Sequence, residues 1–423
     1  MTFTKAALAA TLMFGAAAPA LAQGQAAQPP AAAPGTPAAP AAPAQPQREY
    51  NLSRAERTAF APVITALTAG DWATATTALA TAAPAARGND AKYLIGQIRL
   101  QIGVGTQNRA LQSQGIDEMI ASGGAQPSEM RALYENQLDF ATAAGDTAKA
   151  QRAIAELQRL NPNDPTLFIR QARAMATSNP AGAIALYQQA IEAQQRAGQP
   201  IPPEWRQNIA GIAVRARLPD TMRYMRELLA VSPTPAYWHD ALAIYAETGN
   251  ADSAMKLDIY RLMRAAGAMN SERDFIELSQ AANEVRAFGE VQAVLQDGLR
   301  RNLITQNAAY ARERLELATR RATDDRGSLA DSRRTALAGN DAAAALGMGD
   351  AYYGYGQYAE AAELYRAAMQ KGTDAGVGNI RLGAALAMAG QRPQAEAAFR
   401  AVTGPRAELA QLWLLWLSTR PAA

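Results

Sequence analysis

Four pairs of residues at one spacing decide how this chain can fold: Gly349 and Gly383, Gly356 and Gly390, Ala361 and Ala395, and Tyr365 and Phe399 each lie 34 residues apart. A fixed period of that length is a repeated supersecondary unit, and a unit so small buries its apolar face only against its neighbours. Within 342–375, AAAALGMGDAYYGYGQYAEAAELYRAAMQKGTDA, apolar positions recur every three to four residues, as on one face of a helix. A first helix brings Met348, Gly349 and Tyr352 to one face, the Gly356-Gln357 turn reverses the chain, and a second helix returns Ala361, Tyr365 and Ala368 against it. The small residues permit close approach of the helices and the tyrosines fill the remaining gaps. The next 34 residues repeat the plan with Leu382-Gly383, Leu386, Gly390, Ala395 and Phe399.

From Arg48 onward no run of alternating β-branched residues occurs; short helical stretches are divided by Gly-Asn, Gly-Asp, Ser-Pro or Asn-Pro breaks. The chain therefore reads as all-α. Weaker units are legible at 131–164 (Tyr134, Leu138, Ala141, Gly145-Asp146, Pro162), 165–197 (Phe168, Ala183, Tyr187, Ala190) and 235–268 (Trp238, Leu242, Tyr245, Gly249-Asn250, Ala254). Others fall at 56–89 (Gly70-Asp71-Trp72, Ala75, Leu79), 203–233 and 270–300. Ala75 to Ala150 is 75 residues and Ala254 to Ala361 is 107, neither a multiple of 34, so insertions or non-standard pairs are expected near 92–127 and 300–340.

These residues resemble the tetratricopeptide repeat family, whose 34-residue helix-turn-helix carries a W-x2-L-G-x2-Y, A-x3-F, P pattern. Two units match well, over about 342–409, and Asp258 stands where the pattern usually has an aromatic. The resemblance implies a right-handed superhelical solenoid of antiparallel helix pairs, about nine or ten of them, with a concave groove. It divides the chain into degenerate repeats over 48–340 and, over 341–423, two well-matched units with a C-terminal capping helix.

The first 22 residues place Lys5 before an apolar stretch, Ala6 to Ala18, and end in Ala20-Leu21-Ala22. That is the layout of a secretory signal peptide cut before Gln23, too short to span a hydrocarbon core. A periplasmic location is expected, with no transmembrane span in the mature chain. Residues 23–47 hold seven prolines and no charge, the composition of an extended linker or spacer.

The absence of Cys excludes a disulfide framework and thiolate sites, and His239, the only histidine, excludes a multi-His zinc site. A net charge of +3 over 423 residues gives no global argument for nucleic acid. Asp240 adjoins His239, but successive helical residues point to different faces, so the pair is not read as a dyad. Asp324-Asp325 is placed in an inter-helix turn, and Gly347-Met348-Gly349 inside a helix without a preceding strand is no phosphate loop. No catalytic residues, cofactor or metal are therefore expected.

Under the repeat register Asp350, Tyr353, Ile380 and Met388 point toward the concave groove, as do His239, Glu247, Glu135 and Asp139. Chaperone-binding members of the family use a Lys/Asn clamp, which this sequence lacks at those positions. The expected activity is that of a non-enzymatic scaffold binding a protein or peptide partner in its groove; the resemblance implies service in envelope assembly, secretion or transport. A second reading is a polysaccharide- or peptidoglycan-associated protein using groove tyrosines and the segment 300–334, which carries nine Arg against five acids. The same segment also reads as a solvated helix pair laced with contacts such as Arg312 with Glu316. In the final helix, Leu409, Leu412, Trp413 and Trp416 form a capping stripe, and Leu414, Leu415 and Leu417 widen the apolar arc. Either the preceding repeats cover both sides, or Leu414 and Leu417 mediate a homodimer.

Overall fold

A computed structural model describes residues 48–248 and 251–420. The signal peptide read at 1–22, the linker at 23–47 and the Gly249-Asn250 turn lie outside the described residues. Among the described residues there are twenty α-helices and no strand, arranged as an all-α solenoid of consecutive helix pairs in two compact units, up to Pro162 and from Asn163.

Unit 1 comprises α1 (Arg54–Thr68) with α2 (Trp72–Ala82), α3 (Asn89–Gly105) with α4 (Arg109–Ala121), and α5 (Pro127–Ala144) with α6 (Thr147–Leu160). The Gly-Asp breaks are turns because the two residues divide the labour. Gly145 ends α5 at φ +71°, a left-handed conformation that glycine adopts without strain, and Asp146 then caps α6 by accepting from the Lys149 backbone N–H at 2.9 Å. The region 92–127, where the register is expected to break, holds the pair α3–α4, which crosses closely: a Cβ on Gly96 would lie 2.6 Å from the Gly115 carbonyl oxygen.

Unit 2 contains α7 (Pro165–Met175) with α8 (Pro180–Arg196), α9 (Pro203–Arg215) with α10 (Thr221–Val231), α11 (Pro235–Thr248) with α12 (Ser253–Ala265), and α13 (Glu272–Glu284) with α14 (Phe288–Arg300). Pro165, Pro180, Pro203 and Pro235 each open a helix, where a missing N–H costs nothing. Two further pairs follow the long α15 (Ala308–Ala338): α16 (Ala342–Gly354) with α17 (Tyr358–Gln370), and α18 (Ala375–Met388) with α19 (Arg392–Arg400). A 3-10 turn at Gly404–Arg406 leads into α20 (Ala407–Ser418). The 34-residue spacing has a direct steric meaning: a Cβ on Gly349 would stand 2.6 Å from the Tyr365 ring, and one on Gly383 would stand 2.5 Å from the Phe399 ring.

Two expectations are corrected. Residues 308–338 form one uninterrupted helix rather than a pair, so Asp324 and Asp325 lie mid-helix and cap nothing. Its buried positions Ala311, Ala318, Ala322, Leu329 and Ala336 are four or seven residues apart, a narrow stripe that lets one helix cover α14, α16 and α17. The second correction concerns α20, which meets α10 as well as α18 and α19. Leu409, Leu412 and Trp413 are wholly buried, Leu417 is buried, and Leu414 and Leu415 are half-buried against the same core. The preceding repeats thus cover both sides, and Leu414 and Leu417 form no exposed dimerisation patch.

Candidate partner-binding site

The concave positions of the best-matched repeats face the interior of unit 2. Asp350, Tyr353 and Ile380 are 1%, 8% and 1% exposed, which removes them as partner contacts. The reason is chemical: α12 lies opposite α18, and ionised side chains occupy the space that a ligand would need. Arg261 on α12 donates to the two Glu290 oxygens on α14 at 3.2, 3.1 and 2.7 Å, and to Asp350 on α16 at 2.9 Å. Arg381 on α18 donates to the other Asp350 oxygen at 2.5 Å and to Asp258 on α12 at 3.1 Å. The Tyr365 hydroxyl donates to Asp350 at 2.8 Å, and the Arg261 guanidinium sits 4.2 Å from the centre of the Tyr353 ring. Tyr353 also meets Tyr358 edge-on at 5.1 Å.

Burying ions costs several kcal/mol each, recovered only where every partner is in place. Burial pushes the Asp258 carboxyl above the usual carboxylate range, with Arg381 and Arg261 opposing it. Burial also works against the charges of Arg261 and Arg381, yet the neighbouring carboxylates outweigh it and hold both above the ordinary guanidinium value. The Tyr353 and Tyr365 hydroxyls are pushed up by burial and remain neutral. The network is a structural knot, and its one sequence signal was Asp258 in an aromatic position.

Of the remaining candidates, Met388 is half-buried against the same core. His239 lies between two carboxylates, with Nε2 3.4 Å from Asp274 and Nδ1 3.5 Å from Asp240. The neighbouring carboxylate therefore does reach the imidazole, contrary to the facing argument, but with both ring nitrogens turned to acids neither serves a hydroxyl nucleophile. Asp274 is the N3 residue of the α13 capping box, accepting from the Ser271 N–H at 2.9 Å. In unit 1, Glu135 pairs with Arg131 on its own helix. Among the described residues no group of three acids or histidines is placed to hold a metal ion.

Of the groove candidates, Glu247 opens onto a cleft. The space between α9 and α11, about 460 Å³, has a floor of Ala210, Gly211, Val214, Ala243 and Ile244, with Tyr237 at one end. Met225 and Leu228 of α10 line its base. Arg215 stands on the α9 side, while Asp240 and Glu247, 61% and 68% exposed, stand on the α11 side. Gly211 is the telling residue. Mid-helix glycine costs about 1 kcal/mol relative to alanine, yet a Cβ there would meet only the flexible Arg215 guanidinium at 3.3 Å. Gly327 and Gly347 share this mid-helix freedom; what sets Gly211 apart is that it lines a cleft.

Eight of the nine arginines of 300–334 are engaged within the chain. Arg300 and Arg301 pair with Asp297, Arg320 with Glu316, Arg333 with Glu363 and Arg334 with Asp331. Arg314, Arg321 and Arg326 lie over the rings of Tyr310, Phe288 and Tyr355. The partner of Glu316 is thus Arg320 on the following turn.

No protein-family model matches the chain, and no curated protein matches it. Among solved structures it is similar to the crystal structure of a tetratricopeptide repeat protein from Parabacteroides merdae ATCC 43184, at 11% identity over 79% of this chain and 100% of that chain, with a TM-score of 0.30.

Proposed function

We propose that the protein is a non-enzymatic scaffold of the bacterial periplasm that holds a protein partner in the α9–α11 cleft, in service of an envelope assembly, secretion or transport complex. The observation that carries this reading is the apolar floor around Gly211, open where the other concave positions are filled. Small residues admit close approach, Tyr237 offers an aromatic anchor, and charges of opposite sign on the two rims orient the partner. The arrangement of residues 1–22 supports the location.

The test is a photo-crosslinking amino acid placed at Tyr237 in cells, followed by fractionation. The expected result is a discrete adduct in the periplasmic fraction that disappears with Gly211→Trp, a substitution that fills the cleft while helical circular dichroism is retained. An adduct indifferent to Gly211→Trp rejects the cleft. Recovery only from the cytoplasm, with the N-terminus uncut, rejects the location.

A further inference from the structure

Unit 2 closes on itself through a seam of unusual chemistry. On one side stand Arg226 of α10, Tyr245 of α11 and Asp252 and Asp258 on or just before α12; on the other stand the Pro405–Arg406 turn and Glu408 and Gln411 of α20. Arg226 donates to Gln411, and the Tyr245 hydroxyl donates to the Pro405 carbonyl at 3.0 Å. The Arg226 Nε and Glu408 Oε1 atoms are 2.9 Å apart but off the hydrogen-bond line, and Arg406 Nε stands 3.8 Å from Asp258 Oδ2. Those four atoms are fully buried and make no hydrogen bond; among the described residues only Arg333 Nε and Trp413 Nε1 share that condition. In the knot just inside the seam Asp350 by contrast accepts from Arg261, Arg381 and Tyr365, and Asp258 Oδ2 is the one knot atom left without a hydrogen bond.

The polar groups of this seam have something to gain from water. The opposite charges draw the seam together, but the hydrogen-bonding capacity of those four atoms is unmet while it is closed and is met by water once it opens, so the seam is held less firmly than the knot. The C-terminal segment also has support independent of the seam, since Trp413 stacks on Phe399 of α19 with ring centres 5.4 Å apart.

We infer that this seam is a latch: residues 404–418 part from α10–α12 as a body, staying packed on α18 and α19, and the closing force is carried by the Arg226–Glu408 and Arg406–Asp258 ion pairs. The side chains of Arg226 and Glu408 are 32% and 24% exposed, so salt in solution screens that pair. The latch does not depend on the α9–α11 cleft. The two meet at α10, which turns Met225 and Leu228 to the cleft and Arg226 to the seam.

Hydrogen exchange read by mass spectrometry on the whole chain tests the latch, using Arg226→Glu, Glu408→Arg and the two together. Each single reversal is expected to raise exchange about tenfold at 405–418 and 221–231 while α16–α17 stays at wild-type protection, and the double exchange of charges is expected to restore closure. Raising sodium chloride from about 0.05 to about 0.5 M should move the wild type in the direction of the single variants. Unchanged exchange at 405–418 in both single variants overturns the inference. So does a rise spread evenly over unit 2 both in these and in the milder Arg226→Gln, because seam and core would then open only together.

Discussion

Glu56 and Glu272 perform the same task in the two units: each sits in the first turn of a helix and takes backbone N–H groups from just ahead of a later one. Glu56 accepts from Arg87 and Gly88 at 2.9 and 3.0 Å, and Glu272 from Thr305, Gln306 and Asn307 at 2.8, 2.9 and 2.7 Å. These bonds favour the ionised form and hold both carboxyls down at about 2, against an ordinary value of 4.5. Their contribution is therefore fully present above about pH 4.5 and lost as pH falls through about 2. Glu272→Gln should lower stability at neutral pH and flatten the pH dependence between those limits, read from urea midpoints at a series of pH values. A slope identical to wild type would deny the carboxylate its role. Glycine supplies a second test at this scale, since one substitution has opposite signs at two sites. Gly383→Ala drives a methyl into the Phe399 ring and should cost about 1–3 kcal/mol. Gly211→Ala meets only a mobile guanidinium and should gain about 0.5–1 kcal/mol from helix propensity. Midpoints that shift the same way would break the distinction between a packing glycine and a cleft glycine.

Helices in this chain are legible in the sequence wherever their ends carry chemistry. Gly145-Asp146 and the four opening prolines mark boundaries because capping and a missing N–H act locally, and Gly349 to Gly383 marks the register because two aromatic rings need the same gap. The sequence pattern divides α15 in two because its Asp-Asp pair looks like a cap; continuity there is decided by contacts with α14, α16 and α17, which no local pattern reports. The candidate site was legible only at Glu247. Repeat register tells which way Asp350 and Ile380 point but not what stands opposite, and Asp258 and Arg381, 123 residues apart, meet only through closure of unit 2. That knot ties α12, α14, α16, α17 and α18, and it makes an unequal prediction. Arg381→Met strips a donor from both Asp258 and Asp350 and should cost about 3–5 kcal/mol. Asp258→Asn should cost far less, because burial already opposes the charge of that carboxyl. Equal losses in chemical denaturation would mean that the charges at these two positions do not set the stability of the knot.

At the scale of the molecule, the division at Pro162 and Asn163 has a consequence for cooperativity. A solenoid transmits stability between neighbours, so a defect spreads as far as strong neighbour contacts continue and stops where they thin. Unit 1 offers a severe defect to introduce. Gly115 lies against Gly96 so closely that a Cβ would stand 2.5 Å from the opposing carbonyl oxygen, and backbone, unlike a flexible side chain, cannot step aside. Gly115→Val should therefore separate α3 from α4 at a cost of at least about 1–3 kcal/mol. The expected outcome is loss of amide protection through 48–162, including the first helix pair and α5–α6, while 163–420 keeps wild-type exchange. The reciprocal substitution, Gly349→Val, drives a side chain into the Tyr365 ring and should expose unit 2 while leaving 48–162 protected. Thermal scans of the two variants should then each show one transition moved and one retained. Loss of protection along the whole chain from either substitution would mean that the units melt as one cooperative body, and loss confined to the single altered pair would mean that cooperativity stops at the repeat rather than at the unit.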